Sequence, residues 1–301
     1  MNYIFTEKQV NEIIENWSND FYLKIQKNIE MYSHKWKLSD FNFVEYYSVN
    51  AIFFCKSDLH GDCVLKISRA DIDEVLSEYN ALREYNGRRF IKAFEYDNNA
   101  ILVERVIPGK MLRDEPFLEK RLAVFSKLFN GLQIEPKNPE IYDSYVNWVC
   151  DITDYISRRE DCKELYAHMA KAKELCLEIV KTYDKKLLLH GDFHYENIIS
   201  CGNGKYKIID PKEVIGDPVF DVGRYILNEY GDDRVENRVD SIEKVVEYFE
   251  KSLNIPDKIL RQGFYIEITM AKCWSIEDGE TVDIDDMNYI KFAEKFMNGV
   301  Q

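Results

Sequence analysis

Residues 190–197 read His-Gly-Asp-Phe-His-Tyr-Glu-Asn, and residues 208–211 read Ile-Ile-Asp-Pro. The first stretch places the carboxylate of Asp192 five positions before the carboxamide of Asn197, and a second carboxylate, Asp210, follows thirteen positions later. Phosphoryl transfer needs such groups, because an acceptor hydroxyl must be oriented while hard oxygen ligands hold the metal that offsets the phosphate charge. A hairpin between the two stretches would bring the three side chains together.

The first hundred residues predict strands with one clear helix. Two runs rich in Val, Ile, Phe and Tyr flank a turn-like segment, and apolar residues then recur at helical spacing. Pro108-Gly109 is the natural end of this part, so we predict an N-terminal lobe over residues 1–106. The predicted elements are two strands within 41–67 around a turn at 57–62, a helix over 72–85 capped by Asp71 or Asp73, and strands over 91–96 and 100–106.

The chain from residue 107 to 301 predicts a mainly helical second lobe. Apolar residues at helical spacing predict three consecutive helices within residues 118–129, 145–152 and 165–179. The helical pattern breaks at residues 187–189, and a hairpin is predicted around Cys201-Gly202-Asn203-Gly204. With 301 residues, two lobes are the expected organisation.

Composition excludes several classes of function. The net charge of −14 disfavours a nucleic-acid partner, because phosphate binding draws on clustered Lys and Arg. The sequence lacks a run of 18 or more apolar residues, which disfavours a membrane partner, and its N-terminus has no secretory pattern. The seven scattered cysteines are typical of reduced thiols, so we expect a cytoplasmic protein. An acidic balance suits a cationic substrate, although it more often serves solubility.

Several ordered motifs resemble the aminoglycoside phosphotransferase family, and more narrowly its streptomycin-phosphotransferase-like branch of aminoglycoside/hydroxyurea resistance kinases. Beside the two stretches quoted first, the resemblance rests on Val-Leu-Lys-Ile at 64–67, Leu-Val-Glu-Arg-Val-Ile-Pro-Gly at 102–109 and Gly-Asp-Pro-Val-Phe-Asp-Val at 216–222. It covers roughly residues 40–225. The resemblance implies an α+β bilobal protein-kinase-like fold, with an antiparallel-sheet N-lobe, a helical C-lobe and nucleotide bound between them.

The resemblance also implies roles for individual residues. Asp192 corresponds to the base or hydroxyl-orienting carboxylate, and Asn197 and Asp210 correspond to Mg²⁺ ligands. Lys66 corresponds to the lysine that contacts the α- and β-phosphates of ATP. Glu78 on the following helix is its expected ion-pair partner, with Glu74 one turn earlier as the alternative. A turn capped by Asp192 and Asn197 is the structural alternative.

Two further segments correspond to nucleotide-contacting parts of the family. Glu104, Arg105 and Val106 correspond to the hinge, whose backbone would hydrogen-bond adenine. Residues 47–50, Tyr-Ser-Val-Asn, correspond to the loop over the phosphates but contain no glycine. Ser48 and Asn50 are therefore candidate phosphate contacts. Asp221 corresponds to a structural acid that braces the catalytic loop.

Other chemistries fit the sequence less well. His190 and His194 are four apart, but Gly191 replaces the Glu of a His-Glu-x-x-His zinc motif. A serine hydrolase would need a Gly-x-Ser-x-Gly elbow, which is missing. The interval from Asp192 to Asn197 matches the protein-kinase signature, yet no Phe-Gly follows Asp210 and no Ala-Pro-Glu follows later.

We therefore expect ATP- and Mg²⁺-dependent O-phosphorylation of a hydroxylated small molecule, with an aminoglycoside antibiotic as the family-suggested acceptor. A metabolic kinase acting on an amino-alcohol or sugar derivative, and a catalytically silent nucleotide-binding module, remain alternatives. No protein partner is implied.

The acceptor site is sought near the C-terminus. Residues 273–280, Cys-Trp-Ser-Ile-Glu-Asp-Gly-Glu, follow an apolar helical run and place carboxylates beside a tryptophan. Trp274, Asp278 and Glu280 could hold a cationic acceptor through ion pairs and a cation–π contact. A helix end with solvated acids is the alternative interpretation. Asp217 is a further candidate acceptor contact.

Overall fold

The computed structural model describes residues 3–45, 49–69, 74–232 and 238–299. The chain forms two units, Met1–Lys110 with Ile199–Ile209, and Met111–Ile198 with Asp210–Gln301. The helices are α1 (Glu7–Asn16), α2 (Asn19–Lys35), α3 (Glu74–Tyr85), α4 (Leu118–Phe129), α5 (Tyr145–Ser157), α6 (Lys163–Ile179), α7 (Val219–Tyr230), α8 (Arg238–Leu253), α9 (Asp257–Glu277) and α10 (Ile284–Met297). The strands are β1 (Leu38–Phe43), β2 (Asn50–Ser57), β3 (Gly61–Ser68), β4 (Ala93–Asp97), β5 (Ala100–Glu104), β6 (Asp143–Ser144), β7 (Leu187–Leu189), β8 (Ile198–Gly202), β9 (Lys205–Ile208) and β10 (Val214–Gly216).

The first unit is built on a five-stranded antiparallel sheet with the order β1-β2-β3-β5-β4. The predicted strands around residues 57–62 and over 91–106 are confirmed, as is the helix that precedes residue 87. The proposed caps Asp71 and Asp73 lie outside the described residues. In β3 the side chains of Leu65 and Ile67 are fully buried, and Lys66 and Ser68 are buried as well, so both faces of this central strand are covered there.

Helices α1 and α2 were not expected, because the sequence predicts only one helix in the first hundred residues. Thr6 and Gln9 form a reciprocal capping box at the start of α1, and Ser18 caps α2 by accepting from the amide of Phe21. Both helices pack on the sheet and bury Ile13 and Ile25 completely. This core lets the antiparallel sheet keep one covered face.

The hairpin of β8 and β9 belongs to the first unit although it follows β7 in sequence. The amide of Ile91 donates to the carbonyl of Ile208 at 3.0 Å, and the amide of Ser200 donates to the carbonyl of Lys110 at 2.8 Å. Lys207 reaches the carboxylate of Glu104 at 2.6 Å. These hydrogen bonds attach the hairpin to the first unit. The sequence analysis, in contrast, ends the N-terminal lobe before Pro108-Gly109.

The second unit is mainly helical, and the three helices predicted between residues 118 and 179 are confirmed as α4, α5 and α6. The short strands β6, β10 and β7 form a three-stranded sheet in that order. Helix α9 runs through this unit and packs against α5, α6, α7, α8 and α10. Among the described residues, no helix combines the length and apolar character needed to cross a membrane.

Two glycines allow α7 and α9 to approach closely. A Cβ placed on Gly223 of α7 would lie 2.7 Å from the carbonyl oxygen of Gly263 in α9. No larger residue fits at position 223 without a shift of one helix. This contact fixes the position of the first turns of α7, which carry the residues that reach the predicted catalytic loop.

Candidate active site

The loop that starts at His190 is held by its backbone. Strand β7 leads directly into it, and the carbonyl of His190 accepts from the amide of Lys212 at 2.6 Å. The carboxylate of Asp221 accepts from the amides of Gly191 and His190 at 2.9 and 3.2 Å. Asp221 therefore has the bracing role expected from the sequence. Burial raises the pKa of Asp221 to about 6, although these donors and Gln133 favour its ionised form.

Gly191 is required by the shape of this loop. Its φ of +77° lies in the left-handed region, where a side chain is strained. A Cβ at this position would also lie 3.0 Å from the ring of Trp148. The backbone beside Asp192 thus passes directly against an aromatic side chain of α5.

Asp192 follows this glycine, and its carboxylate is engaged on one oxygen. Arg224 of α7 donates from Nε to Oδ1 at 2.7 Å. Nε2 of His194 lies 3.4 Å from the same oxygen. Burial alone would raise the pKa of the Asp192 carboxyl, but the hydrogen bond to His194 and the charge of Arg224 hold that pKa well below its usual range. The group is ionised and suited to accept a hydrogen bond from a hydroxyl.

Asn197 is oriented by the same loop. Its Nδ2 donates to the carbonyl of Asp192 at 2.9 Å, and its backbone amide donates to the carbonyl of His194 at 3.1 Å. With the amide nitrogen directed at Asp192, Oδ1 is the atom of this side chain suited to bind a cation. Asn197 immediately precedes β8.

Asp210 stands at the other end of the same hairpin, two residues after β9 ends. Paired strands joined by a two-residue turn bring their ends together, so Asn197 and Asp210 flank one hairpin as predicted. Asp210 has a φ of +53°, a conformation that is uncommon for residues with a side chain and concentrates at functional sites. Two hard oxygen donors of this kind fit Mg²⁺, which takes few protein ligands beside phosphate oxygens and water.

The predicted ion pair of Lys66 and Glu78 is present in the first unit. Nζ of Lys66 lies 2.7 Å from Oε1 of Glu78, and the side chains are only 7% and 9% exposed. The pair joins β3 to α3 and holds the lysine in a defined position. The alternative partner, Glu74, has a side chain outside the described residues.

Comparison with known proteins identifies the family of the chain. Residues 57–279 match the model of the family described as aminoglycoside/hydroxyurea antibiotic resistance kinase. The chain belongs to that family. A streptomycin 6-kinase from Streptomyces griseus is 26% identical over 221 residues, which cover 69% of this chain and 69% of that protein.

Solved structures show that the family's fold is present. A thermostable mutant of aminoglycoside phosphotransferase APH(4)-Ia, in a ternary complex with ADP and hygromycin B, has a TM-score of 0.64 at 16% identity and covers 89% of this chain and 96% of its own. An ethanolamine kinase from Plasmodium vivax has a TM-score of 0.67 at 14% identity and covers 98% of this chain and 96% of its own. The predicted α+β, protein-kinase-like fold class is confirmed, with an antiparallel sheet in the N-terminal region and mostly helices in the C-terminal region.

The nucleotide-contacting residues predicted from the family resemblance are placed as follows. The carboxylate of Glu104 is occupied by Lys207 and by the amide of Lys92, and the amide of Arg105 donates to the carbonyl of Asp62 at 3.2 Å. Adenine contacts at Glu104 and Val106 therefore concern the backbone and stay a prediction. Asn50 begins β2, and among the described residues its Oδ1 is buried without a hydrogen-bond partner. Ser48 lies outside the described residues.

The predicted acceptor residues divide into two groups. Trp274 of α9 is half-buried and packs edge-to-face on Trp148 of α5, with ring centroids 5.7 Å apart. Asp278 and Glu280 are exposed beyond the end of α9, and Glu280 lies 3.4 Å from Nζ of Lys272. The tryptophan is thus in contact with the residue that touches Gly191, whereas the acids belong to a solvent-exposed helix end.

Asp217 has a structural explanation. Its carboxylate accepts from the amides of Val219 and Lys185 at 3.2 and 3.3 Å, and only 5% of the residue is exposed. One oxygen thus accepts from the first residue of α7, and the other accepts from Lys185, which lies just before β7. A contact from Asp217 to an acceptor stays a prediction.

The sequence analysis missed a buried polar group next to Asp192. Arg224 lies between Asp192 and Glu267, with Nη1 3.9 Å from Oε2 of Glu267, and the hydroxyl of Tyr145 donates to Glu267. Burial raises the pKa of Glu267 to about 7, opposed by Arg224 and Tyr145. A signal was available, because Glu267 is the one acid within the apolar run Phe-Tyr-Ile-Glu-Ile of residues 264–268.

Proposed function

We propose that this chain transfers the γ-phosphoryl group of ATP to a hydroxyl of an aminoglycoside-type small molecule. The observation that carries the proposal is the catalytic loop: an ionised Asp192 whose backbone carbonyl orients Asn197, with Asp210 at the other end of the same hairpin. Membership of a kinase family and the 26% identity to a streptomycin 6-kinase support the reaction and the acceptor class.

In this proposal Asp192 orients the acceptor. Its low pKa makes it a weak base before the reaction, so it first accepts a hydrogen bond from the hydroxyl. The acceptor oxygen then bonds to the γ-phosphorus, the bond from that phosphorus to the β–γ bridging oxygen breaks, and the hydroxyl proton passes to Asp192. Proton transfer late in a loose transition state is compatible with a weakly basic carboxylate.

Lys66 and the two oxygen donors serve ATP. The ion pair with Glu78 holds the ammonium of Lys66, which would contact phosphate oxygens of ATP. Asn197 and Asp210 would hold Mg²⁺, which neutralises phosphate charge when bound. A cytoplasmic location accompanies this proposal, and all seven cysteines are free thiols.

The acceptor side of the proposal rests on Trp148 and Trp274. Trp148 lies next to Gly191 and Trp274 packs edge-to-face on Trp148, so an acceptor bound to Asp192 would lie near an aromatic ring. Aromatic faces attract ammonium and guanidinium groups. An aminoglycoside carries such cations, which makes this class the leading acceptor.

The test is a panel of acceptors that contains streptomycin, hygromycin B, hydroxyurea, ethanolamine and choline. Acceptor-stimulated ADP release is measured, and mass spectrometry checks for the addition of one phosphoryl group. We expect transfer to an aminoglycoside, and a rate reduced by about 10² to 10⁴ in Asp192→Asn, because a positioned acid/base contributes that much.

The proposal fails in two recognisable ways. Transfer to ethanolamine or choline alone would retain the reaction but replace the acceptor class. An Asp192→Asn variant that keeps more than about a tenth of the wild-type rate would remove Asp192 from its role. ATP affinity of that variant, measured by calorimetry, should stay near wild type and serves as the control for folding.

A further inference from the structure

Arg224 is the only cation of α7, and it reaches the carboxylate proposed to orient the acceptor. Its Nε donates to Oδ1 of Asp192 at 2.7 Å, with 22% of the arginine side chain and 20% of the aspartate side chain exposed. A hydrogen bond between a guanidinium and a carboxylate is among the stronger ones in proteins, and more so where water is largely excluded. Arg224 therefore constrains how Asp192 is presented.

Neutralising Glu267 would be a purely structural reason for this arginine. The distances argue against that as its main role, because Nη1 is 3.9 Å from Glu267, whereas Nε is within hydrogen-bond distance of Asp192. The hydroxyl of Tyr145 already donates to Glu267. Glu267 lies near the guanidinium of Arg224, whereas the hydrogen bond of Arg224 is donated to Asp192.

The second oxygen of Asp192 has a different environment. Within the described part of the chain, Arg224 and His194 contact this carboxylate, and both contacts are to Oδ1. Oδ2 is thus the oxygen left to accept from an acceptor hydroxyl. A carboxylate that could rotate freely would offer either oxygen, and its orientation would have to be fixed during each reaction.

Helix α7 connects this hydrogen bond to the loop backbone. Asp221 and Arg224 are three residues apart, so they lie on one face of the helix. Asp221 accepts from the backbone amides of His190 and Gly191, while Arg224 reaches the side chain of Asp192. The helix therefore fixes the loop and the reacting side chain together.

We infer that Arg224 is a positioning residue for phosphoryl transfer, which holds Oδ1 of Asp192 so that Oδ2 receives the acceptor hydroxyl. The inference rests on the proposed function. Arg224 contacts neither ATP nor the acceptor in this assignment, so its loss should lower kcat and leave the KM for ATP unchanged.

The experiment compares Arg224→Ala and Arg224→Lys with Arg121→Ala. Arg121 is a matched control, because it forms a buried pair with Glu229 of the same helix at 2.6 and 2.9 Å but does not touch the loop. Steady-state kinetics with the best acceptor of the panel are measured with and without added guanidinium ion, and thermal unfolding reports the folded fraction.

We expect kcat of Arg224→Ala to fall about 10- to 100-fold, as for other losses of alignment in active sites, with the KM for ATP within about twofold of wild type. Added guanidinium should restore part of kcat in Arg224→Ala and none in Arg121→Ala. Arg224→Lys keeps the charge but not the planar donor, so it should lie between wild type and Arg224→Ala.

Three results would overturn the inference. One is an Arg224→Ala variant with wild-type kcat. Another is a loss of rate that the unfolded fraction explains and guanidinium does not relieve in either Arg224 variant. The third is a wild-type enzyme that is inactive with every acceptor, and this result overturns the proposed function as well. The first two results, obtained with an active wild type and an impaired Asp192→Asn variant, concern Arg224 alone.

Discussion

The close crossing of α7 and α9 allows a sharp comparison between two glycines that face each other. A Cβ on Gly223 would lie 2.7 Å from the carbonyl oxygen and 2.8 Å from the carbonyl carbon of Gly263, and 3.2 Å from Cγ of Glu267. A Cβ on Gly263 would lie 3.5 Å from Cα and 3.9 Å from the amide nitrogen of Gly223, which are ordinary contacts. Gly223→Ala must therefore move a helix, and Gly263→Ala need not.

The two substitutions share one energetic effect and differ in another. Each substitution places alanine in a helix interior, which favours folding by about 1 kcal/mol relative to glycine. Only Gly223→Ala adds the cost of forcing an extra carbon into a packed site, about 1 to 3 kcal/mol. We expect Gly263→Ala to be at least as stable as wild type, and Gly223→Ala to be less stable than Gly263→Ala by about 1 to 3 kcal/mol.

The activity should change in the same direction. Gly223 immediately precedes Arg224, and the backbone shift needed to relieve the contact would move the hydrogen bond between Arg224 and Asp192. Because a displacement near 1 Å can cost about a factor of 10² in rate, Gly223→Ala should lose kcat even where it is fully folded.

Thermal unfolding by circular dichroism and steady-state kinetics of the purified variants test both parts. Gly263→Ala is the control for helix propensity, since it makes the same chemical change on the opposite helix. Equal stability of the two variants, or a lower stability of Gly263→Ala, would show that the helices do not meet as closely as this reasoning requires.

Three further results are expected. The pKa of Glu267 is raised to about 7 in the folded chain, whereas a Glu in an unfolded chain has a pKa near 4.3. The contribution of this group to the free energy of unfolding is therefore fully present below about pH 4.3 and is lost as the pH rises through about 7. Glu267→Gln should therefore remove up to about 3 kcal/mol of the decrease in unfolding free energy that wild type shows between pH 4 and 8, as measured by urea titration at each pH. Asp210→Ala should abolish most of the Mg²⁺ dependence of ATP affinity in calorimetry, since few protein ligands hold this ion, and an unchanged dependence would place the metal elsewhere. For a cationic acceptor, Trp274→Ala should raise the acceptor KM about 2- to 30-fold through loss of a cation–π contact. Substitution of the exposed acids, Asp278→Asn and Glu280→Gln, should raise the acceptor KM less than about fivefold. The KM for ATP should be unchanged in all three variants. A larger effect of the acids than of the tryptophan would move the acceptor toward the end of α9.

The parts that could be predicted from the sequence depend on short separations along the chain. Asn197 and Asp210 are joined by one hairpin, and Lys66 and Glu78 are twelve positions apart on a strand and the next helix. These short separations limit the possible geometries, and the resemblance to the family indicates which residues are brought together. The hydrogen bond of Arg224 to Asp192 spans 32 positions and depends on how α7 docks, which no local pattern specifies.

The N-terminal helices show a different kind of failure. The capping box of Thr6 and Gln9 is a visible signal, but the residues just before it, Tyr3, Ile4 and Phe5, are apolar. These three consecutive apolar residues do not have the spacing of three and four residues that is typical of a helix, so they do not by themselves indicate a helix start. Phe5 instead packs against the sheet, edge-to-face on Phe53 with ring centroids 6.0 Å apart, and no local pattern specifies this long-range contact.

In the proposed function, the arrangement of the second unit would separate phosphoryl transfer from the choice of acceptor. Asp192 is fixed by α7 in three ways, through Asp221 to the loop backbone, through Arg224 to the carboxylate, and through Gly223 to α9. Trp274 lies seven residues beyond Glu267 on the same face of α9, about 10 Å along the helix. If Trp274 contacts the acceptor as proposed, substitutions near it would change which molecule binds beside the loop without moving α7. A shift of α7, in contrast, would disturb the reaction with every acceptor alike, because in the proposed mechanism the same helix positions the carboxylate that orients the hydroxyl.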